Sequence, residues 1–149
     1  MTDRLSKEAR SANMAAVGSA NTGPELRVRK ALHAAGFRYA LHRRDLPGRP
    51  DIVMPRLGVV IFVHGCFWHR HKGCKAASTP TSNMEFWNAK FEVNVARDQR
   101  NARDLQALGW KVIVVWECAT IPAKLKSPLR RLARMRDEVA MVKAQPRPR

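Results

Sequence analysis

Residues Val59 to Cys74 read Val-Val-Ile-Phe-Val-His-Gly-Cys-Phe-Trp-His-Arg-His-Lys-Gly-Cys, and the rest of the chain is organised around this stretch. Its first five residues form a continuous apolar run, which is the pattern of a β-strand buried on both faces. The eleven residues that follow contain three histidines, two cysteines and two adjacent aromatics. Because these residue types supply metal ligands, acid and base groups and base-stacking surfaces, the stretch predicts a functional site at the end of a buried strand.

The neighbouring segments predict one α/β domain with a small mixed sheet covered by helices. Asp51 to Met54 and Val59 to Val63 should pair as an antiparallel hairpin, because a short turn separates them. Trp110 to Trp116 is another apolar strand, and the helical segment before it predicts a parallel crossover. A short strand is also expected at Phe37 to Leu41.

Three helices are predicted. The first begins at Thr22-Gly-Pro-Glu25, a proline-containing start with a potential capping box, and ends at Gly36. A long helix is predicted from Met84 to Leu108, and a basic helix begins at Ser127-Pro128. The apolar face of the long helix is predicted to comprise Phe86, Ala89, Val93, Ala96, Leu105 and Leu108.

The composition indicates a polyanionic partner. The chain has 149 residues, with 28 Lys and Arg against 12 Asp and Glu, for a formal net charge of +16. Charge of this size favours nucleic-acid binding over a merely solubilising role. The first twenty residues lack the apolar core of a signal peptide, and no apolar stretch reaches membrane-spanning length, so we expect a cytoplasmic protein.

Every cysteine of the chain can be assigned to one metal site. Cys66, His71 and Cys74 have the spacing C-x4-H-x2-C, and Cys118 follows the last strand. If that strand neighbours Val59 to Val63, the four residues make a closed Cys3His set suited to structural zinc. The alternative is a group of isolated thiols beside a surface histidine.

Asp51, Glu25, His64 and His69 are candidate active-site residues. Asp51 lies across the predicted hairpin from the end of Val59 to Val63, where a carboxylate could hold Mg²⁺ against a phosphodiester; it could equally cap turn amides. His64 and His69 flank a zinc candidate and could accept a proton from water. Glu25 could orient a base, or could simply complete the helix cap.

The aromatic residues Phe67, Trp68 and Trp87 are candidate DNA contacts. In a basic protein such residues suit wedging between bases, although they could instead form a small core over the zinc. Met14, in a charged amino-terminal segment, is a similar candidate for a groove wedge. The arginines of the long helix could contact phosphates or form its solvated face.

The chain resembles the very-short-patch repair (Vsr) DNA mismatch endonucleases over residues 8–119. The resemblance is carried by these motifs: Asn13-Met14, Leu46-Pro-Gly-Arg-Pro-Asp51, Ile61-Phe-Val-His-Gly-Cys-Phe-Trp-His69, Glu85-Phe-Trp87, Asn94-Val-Ala-Arg-Asp98, Leu108-Gly-Trp110 and Val115-Trp-Glu-Cys118.

The resemblance implies a PD-(D/E)xK nuclease-like fold and Mg²⁺-dependent nicking on the 5′ side of a thymine mispaired with guanine. It implies a monomer acting on duplex DNA near the bacterial nucleoid. The composition of the two ends, rather than the resemblance, predicts that residues 1–20 form a DNA-binding arm and that residues 144–149 form a disordered tail. The implied site residues are as follows: Asp51 and the main chain of Val63 for Mg²⁺; His69, with His64 and Glu25, for catalysis; Cys66, His71, Cys74 and Cys118 for Zn²⁺; and Met14, Phe67, Trp68 and Trp87 for intercalation.

One departure from the family concerns the Mg²⁺ site. Val63 stands where well-known relatives have threonine, so a main-chain contact would survive here and a hydroxyl contact would not. Two other functions stay open: a nuclease of the same fold with another DNA target, and a zinc-stabilised DNA-binding module without catalysis.

Overall fold

The apolar run after Gly58 forms strand β3, Val59–His64, in the computed structural model. The structure describes residues 22–78 and 80–144. The predicted arm, including Met14, lies outside the described residues. So do residues 145–149 of the predicted tail, whereas Ala144 is the last residue of a helix.

Four strands form one mixed sheet in the order β1, β2, β3, β4, where β1 is Ala40–Leu41, β2 is Ile52–Met54 and β4 is Lys111–Trp116. The β1–β2 and β2–β3 pairs are antiparallel and β3–β4 is parallel, which confirms the predicted hairpin and crossover. The predicted strand from Phe37 was too long. Phe37 is buried in the core instead, and only the two residues of β1 pair with the three-residue β2.

Helices α1, Gly23–Ala34, and α3, Pro122–Ala144, cover one face of the sheet. Their buried residues pack against the side chains of β2, β3 and β4 that point to this face, including Ile61 and Ile113. Helix α2, Met84–Ala107, lies on the opposite face. None of these helices is long and apolar enough to cross a membrane.

Helix α3 begins earlier than the predicted Ser127-Pro128, and Pro128 lies inside it. Proline in a helix interior removes one backbone hydrogen bond, so another interaction must favour the added turn. Leu125 and Leu132 are spaced by seven residues and are only 4% and 1% exposed. Burying both leucines on the same side of the helix requires that the turn containing Leu125 be helical.

The apolar face predicted for α2 is wrong except at Leu105. Phe86, Val93 and Leu108 are 60%, 63% and 63% exposed, whereas Phe91 and Leu105 are buried. The inward face between these two buried residues is polar because it lines a groove rather than a core. Its polar members in the groove are Asn94, Asp98 and Asn101.

The turn before β2 packs so closely on α2 that Gly48 has no room for a side chain. Gly48 has φ +75°, and a Cβ there would lie 2.7–2.9 Å from side-chain atoms of Asn101. Gly58 also has a positive φ, +67°, but a Cβ there would meet nothing within 4 Å.

We therefore expect Gly48→Ala to lower the free energy of unfolding by about 3 kcal/mol, through left-handed strain plus overpacking. Gly58→Ala, which adds the strain alone, should cost about 1 kcal/mol. Urea titrations of both variants test this expectation. Equal losses of unfolding free energy in the two variants would mean that the close contact between the turn and α2 adds nothing to the cost of a side chain at Gly48.

Candidate active site and metal centre

A groove of about 1440 Å³ opens between α2, the end of β3 and the turn before β2. Asp51, His64 and His69 line it, together with the start of α1 at Glu25. The four candidate active-site residues, which come from three separate segments of the chain, therefore face one space. Basic side chains also line the groove: Arg44, Arg49, Lys90, Arg97 and Arg100.

Asp51 occupies the position across the hairpin that the sequence predicted. It directly precedes β2, whose residue Ile52 pairs with Ile61, so Asp51 lies beside the end of β3. Its Oδ2 accepts the main-chain N–H of Val63 at 2.7 Å. Burial, offset in part by that N–H, raises the pKa of Asp51 to about 7. A bound cation would stabilise the ionised form of this buried carboxylate.

The side chain of Val63 packs against the core formed with α1 and α3, while its N–H serves Asp51. The main chain at this position is thus in contact with the candidate Mg²⁺ ligand whatever the side chain. Valine in place of threonine fits the apolar side of the strand.

Glu25 lies at the third residue of α1 and is only 3% exposed. Its N–H donates to the Thr22 hydroxyl at 3.4 Å, so the predicted helix cap is present. Its carboxylate accepts from Arg29 at 3.0 Å and approaches His42 Nε2 at 3.4 Å. Glu25 therefore takes part in the cap through its backbone and in the groove through its side chain.

His64 and His69 stack on each other, with ring centroids 3.9 Å apart and planes 5° from parallel. His69 Nδ1 lies 2.5 Å from Asp98 Oδ2, a short charge-assisted contact. Burial lowers the pKa of His64 to about 4, with His69 adding to the effect and Asp98 opposing it. His64 is therefore neutral at pH 7.

Two residues of this site, His42 and Asp98, were missed as candidates from the sequence. His42 follows β1 and joins Glu25 and Asp51 in one cluster of potential ligand atoms, while Asp98 joins His64 and His69 in another. Asp98 is the last residue of the family motif Asn94-Val-Ala-Arg-Asp98, and this position could have marked it as a candidate site residue. His42 offered no such signal, since only folding brings it beside Asp51.

The predicted zinc residues lie together. In the parallel register His64 pairs with Trp116, so Cys66 and Cys118 each follow their strand at the same offset. His71 Nδ1 lies 3.4 Å from Cys118 Sγ, and the His71 ring stacks on Trp116 at 4.2 Å. One ligand atom from each of the four residues, the fourth being Cys74, lies within 4.8 Å of all the others.

This donor set fits zinc. A tetrahedral ion with Zn–S bonds of about 2.3 Å separates its sulfurs by roughly 3.8 Å, which is within the 4.8 Å limit that holds for all four ligand atoms. Burial raises the pKa of the Cys66 thiol to about 11, whereas the backbone N–H of Ala76 lowers the pKa of Cys74. The deprotonation of Cys66 thus depends on a nearby positive charge, which a bound metal supplies.

The predicted DNA-wedging aromatics form one cluster at the groove. Phe67 lies 5.0 Å from Trp68 and 5.8 Å from Trp87 between ring centroids, and 5.2 Å from the buried Phe91. The first three rings are partly exposed, so the cluster has a core side and a solvent side. Phe86, which was expected to be buried, is the most exposed ring beside them.

The amino-acid sequence is similar to those of known DNA endonucleases. A sequence model of the family described as DNA mismatch endonuclease Vsr matches residues 2–75. The type II nicking enzyme V.XorIIP of Xanthomonas oryzae pv. oryzae is 55% identical over 118 residues, covering 79% of this chain and 86% of that protein. The DNA mismatch endonuclease Vsr of Escherichia coli is 44% identical over 119 residues, covering 80% and 76%. The chain belongs to the Vsr family.

A further relative, the type II nicking enzyme V.NmeAIP of Neisseria meningitidis, is 44% identical over 118 residues, covering 79% of this chain and 84% of that protein. As a member of the Vsr family, the protein is a DNA endonuclease, and its small mixed sheet with helices is consistent with the Vsr nuclease fold. The alternative of a DNA-binding module without catalysis is therefore wrong. The roles of individual residues stay predictions, supported by where the fold brings them.

Proposed function

We propose that this Vsr-family endonuclease nicks one DNA strand on the 5′ side of a thymine mispaired with guanine, with Mg²⁺ bound at Asp51. The observation that carries the proposal is one groove combining a carboxylate that accepts the Val63 N–H, a histidine paired with a carboxylate, and a partly exposed aromatic cluster. The first two suit hydrolysis of a phosphodiester, and the third suits a weakly stacked mismatch.

The residues of the groove divide the work. Asp98 accepts a hydrogen bond from the Nδ1–H of His69. Nε2 is then the basic nitrogen that can deprotonate water. His64 stacks on His69 and keeps its ring oriented. Mg²⁺ bound by Asp51 and the main chain at Val63 would supply Lewis-acid stabilisation of the charge that develops on the phosphate.

The aromatic cluster and the basic side chains that line the groove account for DNA binding in this proposal. Unstacking costs least at a mismatched base pair, so rings that enter the stack select mismatches. Lys90, Arg97 and Arg100 lie on the groove side of α2 and are suited to phosphate contacts. The substrate, duplex chromosomal DNA, places the protein in the bacterial cytoplasm under this proposal.

The test is a nicking assay with Mg²⁺ on duplexes that carry one T:G mismatch within randomised flanking sequence, with new 5′ ends mapped by sequencing. Ends that begin at the mismatched thymine, and that matched T:A duplexes do not yield, are the expected result. Nicks at fixed positions irrespective of the mismatch would instead favour the second candidate, a Vsr-fold nuclease with another target. This second candidate is tested because two of the relatives are named type II nicking enzymes rather than mismatch endonucleases.

A further inference from the structure

A largely buried arginine contacts two residues beside the candidate Mg²⁺ ligand Asp51. Arg29 projects from α1, and its side chain is 12% exposed. Its Nη2 donates to Glu25 Oε2 at 3.0 Å and lies 2.9 Å from His42 Nε2. One guanidinium nitrogen therefore contacts both residues.

The contact between Arg29 and His42 decides which nitrogen of the imidazole carries the proton. A guanidinium has only donors and stays protonated in proteins, so His42 Nε2 must be the acceptor at 2.9 Å. The ring proton is then on Nδ1. Nδ1 faces Asp51 Oδ1 at 3.9 Å, too far for a direct hydrogen bond but close enough to orient a charge.

This arrangement favours an orienting role for His42 over metal ligation. Ligand atoms of Glu25, His42 and Asp51 lie within 4.8 Å of one another, a spacing that a cation could occupy. However, the lone pair of Nε2 is directed at Arg29, and Nδ1 presents a proton to Asp51. The positive charge of Arg29 also offsets the negative charge of Glu25. Glu25 is the carboxylate whose proximity adds to the effect of burial in raising the pKa of Asp51.

We propose that His42, oriented by Arg29, is a positioning residue that holds the Asp51 carboxylate ready for the cation. Val63 N–H fixes Oδ2 from one side, and the Nδ1–H dipole of His42 faces Oδ1 from the other. The inference rests on the proposed role of Asp51 in binding Mg²⁺. Groups that orient a metal ligand in this way commonly change metal affinity about 10–100-fold when removed.

The first test needs no metal. Two-bond ¹H–¹⁵N spectra of the metal-free protein distinguish the two neutral tautomers of His42. The Nδ1–H form is expected in the wild type, and Arg29→Met should lose this preference. An Nε2–H form in the wild type would overturn the proposal.

The second test measures the Mg²⁺ concentration that gives half-maximal nicking. His42→Leu should raise it about tenfold or more, with DNA affinity unchanged. His42→Gln should stay close to the wild type, because its amide can accept from Arg29 and donate toward Asp51. Arg29→Met should shift it in the same direction as His42→Leu, and His33→Leu, at an exposed histidine of α1, serves as the control.

An unchanged Mg²⁺ dependence in both His42→Leu and Arg29→Met would refute the positioning role. Thermal melts identify any variant that has lost its fold, and the remaining variant then decides. If the wild type itself never nicks with Mg²⁺, the proposed function fails. The tautomer spectra still decide separately whether His42 is oriented as inferred.

Discussion

Asp51→Asn is expected to lower the nicking rate by about a thousandfold or more, because losing the proposed Mg²⁺ ligand would remove several kcal/mol of transition-state stabilisation. Asparagine keeps an oxygen that can accept the Val63 N–H, so the local fold should persist. The measurement is single-turnover nicking of a T:G duplex at saturating protein, alongside the Kd for the same duplex. The Kd should change little.

The matched control is Asp45→Asn, at an exposed aspartate of the same segment that pairs with Arg43. It removes the same charge from outside the groove and should nick like the wild type. Full activity in Asp51→Asn, with Asp45→Asn also active, would remove Asp51 from the mechanism.

Asp51→Asn should also change how the stability of the protein depends on pH. The pKa of Asp51 is about 7 in the folded protein because of burial, above the value near 3.9 of an unfolded chain. The folded state therefore binds more protons between these values, and the stability that this group contributes, complete below about pH 4, is lost as the pH rises through 7.

Without metal, Asp51→Asn should thus match the wild type near pH 4 and exceed it at pH 8 by on the order of 2 to 4 kcal/mol of unfolding free energy. Urea titrations at the two pH values test this. Adding Mg²⁺ to the wild type at pH 8 should narrow the difference, since bound cation favours the ionised carboxylate. A wild type that is the more stable protein at pH 8 without metal would contradict the assigned environment of Asp51.

Loss of the zinc site should have the second large effect. His71→Asn removes one of the four clustered ligands, and we expect it to lose stoichiometric zinc and several kcal/mol of stability, roughly 10–20 °C in Tm. The physical reason is that a zinc ion bound by these four residues would join the loop after β3 to the residues after β4. Metal analysis and thermal melts of purified protein measure both quantities.

His33→Asn is the matched control, because this histidine is exposed on α1, away from the cysteines. It should retain one zinc per chain and the wild-type Tm. A metal-depleted wild type that melts at the same temperature as the untreated protein would be the opposite of what we expect. The aromatic cluster depends on the same loop, so weakened DNA binding in His71→Asn should accompany the loss of zinc.

The sequence by itself determined the central strand, the hairpin and the parallel crossover, because a continuous apolar run, a short turn and an intervening helix allow few other topologies. It also determined the four zinc candidates. The sequence left open whether the two strands are neighbours; their parallel pairing, with His64 opposite Trp116, places Cys66 and Cys118 at the same offset and brings them together. Asp51 beside the end of β3 followed from the hairpin in the same way.

Only the tertiary structure decided which side of α2 faces inward and which residues complete the groove. Apolar spacing pointed to Phe86 and Val93, but the inward face is polar where it lines the groove, and the amphipathic signal is therefore inverted there. His42 and Asp98 reach their partners across distances that no local pattern encodes. Local periodicity reports burial against a core, whereas a groove lined by several separate segments of the chain is defined by long-range packing alone.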